Sequence, residues 1–124
     1  MDRLPDELRH FIAANINSVA QLELLLLLRG SPHKDWCPEE VSRALYTTTD
    51  MMAAQLAELE GRGLLTSTQQ GRYRYAPGTP ELAAIVDQVA KLYKERRVSV
   101  ISTIYAEPTE KVRTFADAFR LRKD

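Results

Sequence analysis

With 124 residues, 44% hydrophobic and 27% charged, the chain has the size and make-up of one folded globular domain rather than a disordered or fibrous segment. Its 17 acids offset its 17 bases, so net charge argues against tight nonspecific attraction to a polyanion. Cys37 is the single cysteine, which excludes an internal disulfide framework and fits a reducing, cytoplasmic setting.

The N-terminus does not read as a secretory signal, because Asp2, Asp6 and Glu7 stand where a cationic region would be. Pro5 suits the first turn of a helix, and Asp6 and Glu7 suit its positive end. Leu4, Leu8, Phe11, Ile12 and Ile16 recur at helical spacing, predicting an amphipathic helix over 5–16. Ser18, followed three residues later by Gln21, has the form of a capping box that opens a second helix ending at Gly30. That helix is apolar almost all round (Val19, Leu22 and the run Leu24 to Leu28), which places it centrally. The leucine run is far too short to span a bilayer, which takes about 20 apolar residues, so no membrane association is expected.

After a polar connector containing Pro32, Trp36 is expected on a short strand. Pro38 starts a third helix, with Glu39 and Glu40 in its first turn and Val41, Ala44 and Leu45 inward. Thr47, Thr48, Thr49 and Asp50 supply a turn and an N-cap for a fourth helix to about Arg62, buried along Met52, Leu56 and Leu59. Gly61 and Gly63 bracket its end. Leu64 and Leu65 lead into a strand, Gln70-Gly71 reads as a hairpin tip, and Arg72 to Tyr75 alternates as a return strand. Trp36, Tyr46, Tyr73 and Tyr75 are expected to pack between this hairpin and the core.

Pro77, Gly78 and Pro80 form a joint, after which one long helix is predicted over 80–106. Its seam is Leu82, Val86, Val89, Tyr93, Val100 and Ile104, an apolar arc wide enough to call for a second copy of the chain. Pro108 ends it. Residues 108–124 hold an amphipathic tail, with Val112, Phe115, Ala116 and Phe119 on one face.

The stretch from Pro38 to Pro77 resembles the winged helix-turn-helix regulators of bacteria, broadly the MarR-like group. The carrying residues are Pro38-Glu39-Glu40-Val41, the run MMAAQLAELEGRGLL ending at Leu65, and the Gln70-Gly71 wing. The resemblance implies a mainly α fold with a small β-hairpin wing (α+β). Its winged-helix core would occupy 18–77 within a single domain of 1–124. Helices 5–16 and 80–106 would flank the core and join two copies through Leu8, Phe11, Ile12, Leu82, Val86, Val89, Tyr93, Val100 and Ile104.

It further implies a homodimeric transcription regulator on double-stranded DNA, its operator short and roughly palindromic. Thr48, Thr49, Asp50, Met51, Ala54 and Gln55 would then face base edges. Ser42, Arg43, Arg72 and Arg74 would meet phosphates.

Charge runs against this reading. Residues 38–62 carry five acids and two bases, and no Lys or Arg lies on the would-be recognition helix before Arg62. Residues 91–124 carry nine bases and five acids, and their tail is a possible surface for a protein partner. The competing reading is therefore a winged-helix interaction module with little DNA affinity.

No constellation of nucleophile, base and acid appears, nor a glycine-rich phosphate loop, so an enzyme is not expected and no cofactor is implied. His10, His33 and Cys37 lack ligand-like spacing, and no metal is expected.

Overall fold

The computed structural model describes residues 4–105. The elements run α1 (Asp6–Asn15), α2 (Val19–Gly30), α3 (Pro38–Leu45), α4 (Thr49–Gly61), β1 (Leu65–Ser67), β2 (Tyr73–Tyr75) and α5 (Pro80–Glu95). Residues 97–105 are again helical. This is the mostly helical, hairpin-bearing winged helix expected of the MarR-like pattern. The tail over 108–124 lies outside the described residues.

Local chemistry sets most boundaries. Three helices start on a side-chain cap: Ser18 Oγ accepts from the Gln21 N–H, Thr48 Oγ1 from Met51 and Thr79 Oγ1 from Leu82, all within 3.2 Å. The capping box at Ser18 closes differently from the expected reciprocal pair, since Gln21 Oε1 accepts from the Asn17 N–H at 2.8 Å. Pro5 stands at the N-cap of α1 rather than inside its first turn.

Helix α2 is central, with Leu22, Leu24, Leu25 and Leu28 fully buried. Helices α3 and α4 pack on each other, and α4 packs on β1. Met52, Leu56 and Leu59 seal the inner stripe of α4, each contributing roughly 1.5–3 kcal/mol of burial.

β1 and β2 pair antiparallel, with Leu65 opposite Tyr75, Thr66 opposite Arg74 and Ser67 opposite Tyr73. The tip is a 3-10 turn over Gln69–Gly71 in which Gln70 (φ 64°) and Gly71 (φ 71°) are both left-handed. Glycine meets that demand without steric cost. Trp36 extends the ribbon on its other edge. It exchanges backbone hydrogen bonds with Tyr73 at 2.7 and 2.8 Å, the short strand beside the wing that the sequence suggested.

Two expectations about the terminal helices need correction. The helix predicted over 80–106 is broken at Arg96, whose backbone leaves helical geometry (φ −135°, ψ 57°). The seam also does not lie open for a twin. Leu8, Phe11, Ile12, Val86, Val89, Tyr93, Val100 and Ile104 are all buried within the one chain, and Leu82 is half-buried. The physical reason is that α1 folds back against α5, so these two helices cover each other's apolar faces.

Candidate nucleic-acid interface

The helix-turn-helix is built by α3, a tight turn and α4. The turn is made by Tyr46, which adopts the left-handed conformation (φ 57°, ψ 49°) at the end of α3. The next N–H, on Thr47, returns to the Ser42 carbonyl at 2.9 Å. Thr48 then caps α4. The left-handed backbone throws the Tyr46 side chain outward, leaving it 96% exposed. This overturns the expectation that Tyr46 packs with the wing. It also adds a residue to the surface that periodicity had missed, because a left-handed turn residue has no helical phase.

The outward face of α4 carries Asp50, Met51, Ala54 and Ala57, all exposed, with Met51 at 50%. Thr48 is exposed at its start and Thr49 is half-buried. Gln55 is half-buried, and its Oε1 is shielded from solvent with no hydrogen-bond partner. A two-point contact to an adenine edge, as the sequence suggested for Gln55, is therefore not formed by this arrangement.

Arg43 stands exposed near the end of α3. Ser42, by contrast, is only 6% exposed. Its hydroxyl donates to the Glu39 carbonyl at 2.8 Å and lies 3.3 Å from Thr49 Oγ1, tying α3 to α4. Ser42 holds the motif together and is not presented to a phosphate. Ala44, expected inward, is exposed.

The two wing arginines face outward but are partnered. Arg74 Nε donates to Asp35 Oδ1 at 2.7 Å, and Arg72 Nη1 to Glu40 Oε1 at 3.2 Å. Glu40 also accepts the Cys37 N–H at 3.1 Å, and its other oxygen lies 3.9 Å from Lys34 Nζ. That ammonium sits 3.9 Å from the centre of the Trp36 ring. The hydrogen bond from Arg74 holds the Asp35 carboxyl below its ordinary value. For Glu40 the backbone hydrogen bond from Cys37 has the same effect, with Lys34 and Arg72 adding to it. The cluster joins three cations to two carboxylates and keeps one positive charge in excess.

Arg62, just past α4, is turned into the molecule. Its guanidinium donates to the Asn15 carbonyl at 2.5 Å and to Gln21 Oε1 at 3.3 Å, and pairs with Glu58 at 3.3 Å. Buried Gln21 completes the network by donating to Glu58 at 3.0 Å. These bonds fix α4 to the junction of α1 and α2, a positioning role rather than a contact with a ligand.

Away from this face, a groove of about 570 Å³ runs between α2 and α5, lined by Leu26, Arg29, Asp87, Lys91, Tyr93 and Lys94 among others. Among the described residues no three His, Cys, Asp or Glu side chains are grouped so as to hold a metal ion. No single helix among them is long and apolar enough to cross a membrane.

No protein-family model and no curated protein sequence matches the chain. Among solved structures it is similar to MepR, a transcription regulator of the Staphylococcus aureus multidrug efflux pump MepA. The likeness covers 95% of this chain and 91% of that one, at a TM-score of 0.51 and 15% sequence identity. At that identity the likeness establishes the fold.

Proposed function

We propose that the chain is a DNA-binding winged-helix transcription regulator that acts in the cytoplasm as a homodimer on a short, roughly palindromic operator. The observation that carries this reading is the pairing of an outward α4 face with a flanking wing that offers Arg72 and Arg74. In a winged helix, α4 enters the major groove while the wing tracks the adjacent backbone. The fold shared with a transcription regulator supports the same reading.

Arg43, Arg72 and Arg74 are the phosphate contacts, with Lys34 beside them. Thr48, Thr49, Asp50, Met51 and Ala54 are the groove-facing set, and Tyr46 joins them from the turn. A twin would meet the outer surface of the terminal helices, where Val98 and Tyr105 are exposed, since the inner seam is already filled.

The paired wing arginines and the acidic α4 favour a second reading, an interaction module that binds protein instead of DNA. Equilibrium binding to a random-sequence duplex across a range of salt separates the two. A regulator binds at low salt, and log K falls linearly with log salt in proportion to the phosphates it neutralises. Absence of duplex binding at low salt would transfer the assignment to the interaction module. Sedimentation of the free protein tests the dimer, whose expected species is twice the 14.1 kDa chain.

A further inference from the structure

Helix α4 has no Lys or Arg anywhere along Thr49–Gly61, and the cation that follows it, Arg62, is committed to Asn15, Gln21 and Glu58. Arginine and lysine read guanine by donating to its O6 and N7, so this helix has no group for that contact. Gln55, the amide able to read adenine at two points, has its Oε1 turned into the protein. Apart from the Asp50 carboxylate, what the face presents is carbon. Met51 is half exposed, Ala54 and Ala57 are exposed, and the Thr48 methyl stands at the helix start. Two alanines in succession along the outer stripe also let the helix backbone come close to the groove floor.

The one distinctive apolar group on the major-groove edge of DNA is the C5 methyl of thymine. We infer that α4 selects its operator through thymine methyls, with Met51 and Ala54 as the residues that meet them and Tyr46 packed beside them at the groove's edge. The inference rests on the DNA-binding reading above and deepens it by naming the class of duplex, one rich in thymine where α4 docks. Asp50, at the start of the face, accepts only. It therefore meets the amino group of adenine or cytosine and is repelled by guanine O6/N7 and thymine O4 alike, which leaves the choice of thymine to the apolar contacts.

The test uses the full chain and a duplex enriched by it from a randomised pool. That duplex is made in two forms, one with thymine and one with deoxyuracil, which pairs identically but lacks the methyl. The thymine duplex is expected to bind more tightly, by about fourfold for each methyl buried. Met51→Ala should weaken the thymine duplex and leave the deoxyuracil duplex nearly unchanged, a coupling that a general loss of folding would not produce. Equal affinity for the two duplexes, or an enriched site dominated by guanine under α4, would overturn the inference while leaving DNA binding intact. Failure to enrich any duplex would overturn both.

Discussion

The two halves of the outward surface divide charge and shape between them. Helix α4 is held from behind by three fully buried side chains and a hydrogen-bonded network, yet its front carries small and apolar groups, the Asp50 carboxylate and no cation. The wing is the reverse: two three-residue strands hold it, and its front carries the arginines. Affinity for a polyanion would come from the second region and sequence preference from the first. The contrast also shows that counting charges along a segment says little until their partners are known. Arg62 lies near α4 but serves the interior, while Arg72 and Arg74 lie outward but are partly offset by Glu40 and Asp35.

The largest effect that would break this division is on the support of α4. Leu56→Ala should cost about 2–5 kcal/mol of stability in denaturant unfolding, whereas Ala54→Ser on the outer face should stay within about 0.5 kcal/mol. Comparable losses at the two positions would mean that α4 is not presented as described. Gln21→Ala should cost about 1–3 kcal/mol, because it leaves Glu58 and Arg62 short of a buried partner.

On the wing, Arg72→Ala combined with Arg74→Ala should lower the magnitude of the log K against log salt slope by about 2 for random duplex. An unchanged slope would remove the wing from the interface. The opposite change, Asp35→Asn with Glu40→Gln, releases the same arginines and should steepen the slope.

Acid should act in the same direction as that second pair of substitutions. Asp35 and Glu40 have folded values below their ordinary 3.8 and 4.5, so the stability they contribute is present above those ordinary values. It is lost as pH falls through the lowered folded values. Fluorescence of Trp36, which stacks with Lys34 beside these pairs, should therefore report a local transition at a pH below the ordinary carboxylate range. A transition centred near neutrality would contradict the assignment of these carboxylates. A small gain is expected at Tyr46, where glycine relieves a left-handed backbone and should raise stability by up to about 1 kcal/mol in denaturant unfolding.

Much of the fold was legible because periodicity and caps are local. Ser18, Thr48, the Met52–Leu56–Leu59 stripe and the Gln70-Gly71 tip all stand where their chemistry directs. The site was less legible, because exposure depends on backbone turns and distant partners. Tyr46 looked like core until its left-handed backbone placed it outside. Ser42 looked available until its hydroxyl proved to bridge α3 and α4. Nothing in the sequence pairs Arg72 with Glu40, 32 residues away, or Arg74 with Asp35, 39 residues away. The break at Arg96 did leave a trace. Counting three and four residues on from Tyr93 reaches Arg96 and Arg97, so the apolar seam is interrupted by two charges where one more inward residue was due.

Amide hydrogen exchange of the protein with and without a low-salt DNA duplex tests the division of surface most directly. Added protection at Thr48–Gln55 together with Thr66–Arg74 is the predicted outcome. Duplex binding that protects neither segment, or that protects only α5 and the helix beyond it, would contradict the account.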